Sequence, residues 1–63
     1  MLSENLKRIR EQKGFSKMQL EEASGISRRT IMLIETGRTK NPGIKTLNNL
    51  AKALKVSVEK LIK

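Results

Sequence analysis

Glycine interrupts this sequence at Gly14, Gly25 and Gly37, and the apolar residues between and beyond those breaks recur at helical spacing over short stretches. No segment alternates apolar and polar residues, and Phe15 is the one aromatic side chain, so strand signals are missing. A chain built this way is confined to short helices around a shared core, which Leu and Ile must fill.

The first helix is predicted from about Leu2 to Lys13, with Leu2, Leu6 and Ile9 on one face. Gly14 ends it, and Phe15 closes the core at that corner. Ser16 and Gln19 form an S-x-x-Q capping box opening the second helix, which runs to about Ala23 with Leu20 as its main core residue. Ser24-Gly25-Ile26 then reads as a tight turn with Gly25 at the positive-φ position. Ser27 caps a third helix, about Arg28 to Thr36, stopped by Gly37. The stretch from Arg38 to Gly43 combines Gly, Thr, Asn and Pro and reads as a loop. Ile44, Leu47, Leu50, Ala51 and Leu54 make the clearest apolar stripe and mark a fourth helix, about Ile44 to Leu54. Ser57 caps a short fifth, about Val58 to Ile62. The expected fold is a compact all-α bundle of five helices, with residues 1–63 forming one domain.

Composition narrows the function. A domain of 63 residues buries only about 60% of the surface its unfolded chain exposes, so the core must be small. There is no Cys to form a disulfide or thiolate metal site, which fits a reducing, cytoplasmic setting. The longest apolar run, Ile31-Met32-Leu33-Ile34, is far short of the roughly 20 residues of a membrane span. The opening Met1-Leu2-Ser3-Glu4-Asn5 lacks the basic-then-apolar order of a signal peptide. Lys and Arg number 14 against 6 acidic residues, and the net charge of +8 favours polyanionic partners. With no His, Cys or Asp and no glycine-rich phosphate loop, the chain is expected to have no catalytic residues, metal or cofactor. Nor is a small-molecule substrate or a membrane partner evident.

Two helices joined by a very short glycine turn are the mark of a helix-turn-helix, here at about 17–36. Leu20 and Ile26 pack beneath the turn, while Ile31 and Ile34 anchor the second helix of the pair. At about 100° per residue, Arg28, Arg29, Met32 and Leu33 fall in an arc about 140° wide on the far side of that helix. Arg29 points almost directly away from the core. Arginine can donate two hydrogen bonds to guanine, and apolar side chains can touch thymine methyls, so this arc suits a DNA major groove. The bland alternatives are a solvated charged face for the arginines, and core packing or a protein interface for Met32 and Leu33.

Arg38, Thr39, Lys40 and Asn41 supply cationic and small polar side chains in the next loop, suited to phosphate contacts. Lys17 starts the second helix, where free backbone N–H groups favour a phosphate. Arg10 borders the apolar face of the first helix, and Glu35 follows the core residue Ile34. A bridge between them would tie the first helix to the third, the alternative being two unrelated surface charges.

The ordered set Leu6-x-x-Ile9-Arg10, Gly14-Phe15-Ser16, Leu20, Ser24-Gly25-Ile26-Ser27, Ile31, Ile34-Glu35-x-Gly37, Pro42, Leu50-Ala51-x-Ala53-Leu54 and Val56-Ser57-x-x-x-x-Leu61 resembles the phage-repressor (Cro-like or XRE-type) helix-turn-helix domains. The resemblance covers nearly the whole chain. It implies a five-helix, lambda-repressor-like fold, with Lys17, Ser27, Arg28, Arg29, Met32 and Leu33 facing DNA, and Lys40 and Asn41 in a phosphate-contacting loop. It also implies an interhelical salt bridge at Arg10 and Glu35, and dimers formed on palindromic operators through the last helix region, here Val56, Val58, Leu61 and Ile62. Three residues depart from the family pattern. Glu21 stands where Ala is usual, so its carboxylate must lean outward or find a partner such as Arg28. Lys17 replaces the commoner Gln. Lys55 replaces a common Gly at the end of the fourth helix, where positive φ would cost a non-glycine residue something like 1 kcal/mol.

The expectation is therefore a sequence-specific double-stranded-DNA-binding regulator of transcription working as a homodimer on DNA; the resemblance favours a repressor, and activation is equally compatible with the domain itself. A protein-interaction module using the Met32/Leu33 face and the apolar C-terminus is the alternative. RNA binding is a weaker rival, because single-stranded RNA readers commonly present several stacking aromatics.

Overall fold

Ser16, Ser27 and Ser57 open three helices by one device: each hydroxyl oxygen accepts from the backbone N–H three residues on, at Gln19, Thr30 and Lys60. At Ser16 the Gln19 side chain also accepts from the Ser16 N–H at 2.8 Å, completing the capping box. In the computed structural model, which describes all of residues 1–63, the helices are α1 (Leu2–Gln12), α2 (Lys17–Ser24), α3 (Arg28–Glu35), α4 (Ile44–Leu54) and α5 (Val58–Ile62). There is no strand. All five predicted helices are present, with ends within a residue of those read from the sequence.

Gly25 has φ +77° and ends α2, its N–H donating to the Glu21 carbonyl. Only the residues Ile26 and Ser27 then separate it from α3, so the two helices are held to a fixed corner. α1 packs on α3 and α5, α2 on α3 and α4, and α4 on α5. Their common core is Leu6, Ile9, Leu20, Ile31, Ile34, Leu50, Ala51, Leu54 and Leu61, with Leu2, Phe15, Ile26, Ala53, Val56 and Val58 partly buried around it. No helix is long and apolar enough to cross a membrane.

Two expectations fail. Ile44 belongs to the α4 stripe by spacing, yet it is 66% exposed. Spacing alone assigned it to the stripe, and at the N-terminal end of α4 the side chain is left largely in solvent. Leu61, assigned to a dimer surface, is fully buried in this chain's own core. α5 is docked on α1 and α4, and the Leu61 side chain fills the space between them, so it is not available to a second subunit.

Two polar residues are buried with the core. Asn5 is held between α1 and α5, donating to the Leu61 carbonyl oxygen at 3.0 Å. Arg10 reaches from α1 to α3. Lys55, ending α4, has φ 58° and is the one non-glycine residue in the left-handed region.

Candidate nucleic-acid interface

The orientation of α3 follows from its two isoleucines. Ile31 and Ile34 are completely buried, which turns Arg28, Arg29 and Met32 to solvent. Leu33 is half-buried at the margin of this face. The α3 register is reinforced from behind: Arg10 Nε donates to Glu35 Oε2 at 2.7 Å, and Arg10 Nη2 to Glu35 Oε1 at 3.2 Å. Arg10 Nη1 donates to the Phe15 carbonyl oxygen at 2.7 Å. The Arg10 and Glu35 side chains are only 9% and 3% exposed, so the bidentate pair ties α1 to the end of α3, and the third Arg10 bond ties both to Phe15, just ahead of the α2 cap. Donation to Glu35 holds the Arg10 guanidinium above its ordinary pKa, against the opposing effect of burial.

The loop after α3 is fastened to the helix end. The Leu33 carbonyl oxygen accepts from both Arg38 N–H and Thr39 N–H, at 2.9 and 3.0 Å. Thr36 Oγ1 donates to the Met32 carbonyl oxygen at 2.9 Å. Arg38 and Lys40 are exposed, as is Asn41, while Thr39 is half-buried. Lys17 is exposed at the first residue of α2. Ser27 is exposed, but its hydroxyl already serves the cap and donates to Thr30 Oγ1 at 2.9 Å.

The charges on this side are not equivalent. Arg28 Nε lies 2.9 Å from Glu21 Oε1, whereas Arg29, Lys17, Arg38 and Lys40 have no carboxylate partner. The unusual Glu21 thus leans outward and is met by Arg28. The structure brings Arg28, Arg29 and Met32 onto one helix face and attaches the Arg38–Thr39 segment to that helix. Of the C-terminal residues, Val56 and Val58 are half-buried against the core, and only Ile62 stands clear, at 49% exposure.

Sequence reasoning passed over Met18, which is 51% exposed beside Lys17 on the first turn of α2. The signal was available: residues three and four places on are Glu21 and Glu22, so no apolar stripe runs through Met18. It also passed over Asn5, although Asn5 lies three residues after Leu2 and four before Ile9, on the core face of α1.

A glycine turn between two short helices, the second pinned by isoleucines and basic on its outer side, defines a helix-turn-helix domain with a lambda-repressor-like arrangement of five helices. The chain belongs to the helix-turn-helix family, whose sequence model matches residues 6–61. It is 37% identical over 62 residues to the uncharacterized HTH-type transcriptional regulator y4dJ of Sinorhizobium fredii, covering 98% of this chain and 79% of that protein. It is 38% identical over 63 residues to the uncharacterized HTH-type transcriptional regulator YqaE of Bacillus subtilis, covering all of this chain but only 53% of YqaE. Its fold superposes on the crystal structure of SinR, the master regulator for biofilm formation, in complex with DNA, with a TM-score of 0.95 and 32% identity over 100% of both chains.

Proposed function

We propose that residues 1–63 act as one domain that binds double-stranded DNA sequence-specifically and represses transcription in the cytoplasm, without enzymatic activity or cofactor. The observation that carries this reading is the outward presentation of Arg28, Arg29 and Met32 by a helix whose opposite side, Ile31 and Ile34, is wholly buried. Eight residues of α3 extend about 12 Å, and the major groove is about 12 Å wide. In this reading Arg28 and Arg29 donate to guanine, and Met32 and Leu33 touch thymine methyls. Lys17, Ser27, Arg38, Thr39, Lys40 and Asn41 hold phosphates and fix the register. The likeness to SinR, a protein solved on DNA, supports the same docking side.

The domain measures 22 × 22 × 20 Å. Successive major grooves on one side of a duplex are about 34 Å apart, so one copy reads one half-site. We propose a homodimer on a palindromic operator, with Val56, Val58 and Ile62 lining the contact between subunits.

Selection of bound sequences from random duplexes tests the reading. A palindromic motif with half-sites about one helical turn apart is expected, along with a steep loss of affinity as salt rises. Failure to enrich any sequence, together with a stable complex with another protein through Met32 and Leu33, would replace it with the interaction-module reading.

A further inference from the structure

Glu21 and Arg28 form the one ion pair that joins the two helices of the motif. Their side chains are 36% and 56% exposed, and a pair so open to water contributes little to stability. Its consequence lies instead at the face it borders. Resting on the DNA-binding reading above, we propose that Glu21 is a specificity-determining positioning residue, whose carboxylate lies against the Nε side of Arg28 so that the Nη1/Nη2 end is offered to a guanine instead of a phosphate.

A guanidinium presents donors along two edges, one including Nε and one made by Nη1 and Nη2 alone. Glu21 Oε1 lies 2.9 Å from Nε as an ion pair without a hydrogen bond, and no acceptor in the protein takes an N–H of Arg28. The free end matches the O6 and N7 acceptors of guanine. Those acceptors are uncharged, so Arg28 can engage them while keeping Glu21. A phosphate bound at the same end would lie close to the Glu21 carboxylate and be repelled by it. Arg28 is also the first residue of α3, and the N-terminal residues of a recognition helix are the ones that meet base edges. Its neighbour Arg29 has no such carboxylate, so the two adjacent arginines differ: one is oriented toward bases and screened from the backbone, the other is free to take either.

The test measures binding of the wild type, Glu21→Ala, Arg28→Ala and the double variant to the selected site, to single-base variants of it, and to random duplex, across a salt series. Glu21→Ala is expected to tighten random-duplex binding several-fold and steepen the salt dependence by about one phosphate contact. It is expected to lower discrimination at one guanine position by roughly tenfold. Glu21→Gln, which keeps the shape of the side chain without the charge, is expected to behave like Glu21→Ala in random-duplex binding and salt dependence. In the Arg28→Ala background the substitution at Glu21 should change discrimination at no position. Equal effects of Glu21→Ala with and without Arg28, or guanine preference untouched by Glu21→Ala, would overturn the proposal while leaving the DNA-binding reading intact. Absence of any duplex binding by the wild type at low salt would overturn both.

Discussion

Asn5 Nδ2 donates to the Leu61 carbonyl oxygen at 3.0 Å, joining α1 to α5 across 56 positions of the chain. That carbonyl lies in the last turn of α5, where the helix supplies no N–H to meet it. The Asn5 Oδ1 accepts from Arg8 Nη2 at 3.1 Å, so the buried amide is used at both ends. Asn5→Ala removes the donor and is expected to destabilise the fold by about 1–3 kcal/mol. Urea denaturation should show a lower midpoint with an unchanged slope. A midpoint equal to the wild type would mean that water replaces the amide without loss.

Arg10→Ala should be more damaging. It leaves the Glu35 carboxylate, 3% exposed, without its cation, and the Phe15 carbonyl without its donor. Breaking a buried pair from one side costs about 3–5 kcal/mol. A domain of 63 residues has a total stability on the order of 3–9 kcal/mol, so the variant is expected to lose a large part of that margin and to melt at a markedly lower temperature by circular dichroism. Replacing both partners, as Arg10→Met with Glu35→Leu, removes the desolvated charges together and should recover most of the loss. A double variant as unstable as the single one would show that the hydrogen bonds, rather than the stranded charge, dominate. Because the folded-state pKa of Arg10 is raised, its contribution is complete below the unfolded value and lost only as pH climbs through the folded one. No Arg10-linked loss of stability is therefore expected below about pH 12.

Lys55 ends α4 in the left-handed conformation, φ 58° and ψ 42°, which crowds a Cβ that glycine lacks. Lys55→Gly is expected to raise stability by up to about 1 kcal/mol, offset in part by the greater freedom of the unfolded chain. Thermal denaturation followed by circular dichroism checks the sign. A lower melting temperature would mean that the lysine side chain packs favourably enough to outweigh backbone strain.

Arg29 and Lys40 are both exposed and unpaired, yet they occupy different ground: Arg29 is on the outer face of α3, and Lys40 is in the loop beyond it. Arg29→Ala should relax base preference at its position, costing about 1–3 kcal/mol on the selected site. Lys40→Ala should weaken all sequences nearly alike and reduce the salt slope by about one. Parallel titrations of the selected site and its single-base variants separate the two patterns. Identical behaviour of the two variants would remove the division between base-reading and phosphate-holding residues.

Local rules placed the helices. The Ser16–Gln19 box, the Ser27 and Ser57 caps and the strain at Lys55 depend on residues within a turn or two of one another, so their partners are visible in the linear order. The outward aspect of Arg29 and Met32 was legible for the same reason, since Ile31 and Ile34 set the phase of one short helix. Exposure of Ile44 and burial of Leu61 were not. Helical spacing says in which direction a side chain projects, but not whether another element arrives to cover it. The Arg10–Glu35 bridge stands between these cases. Each residue could be placed beside its own apolar stripe, while their contact at 2.7 Å depends on how α1 lies against α3.

The amino-acid order thus settles where five helices begin and end and which side of the third faces outward, because hydrogen-bonded caps and apolar periodicity act over a few residues. Docking of α5 onto α1, with Asn5 and Leu61 enclosed, and the three-way contact of Arg10 with Glu35 and Phe15 depend on groups converging from separate elements. Burial and ion pairing need partners brought together in three dimensions, and that convergence exists only once the core has closed.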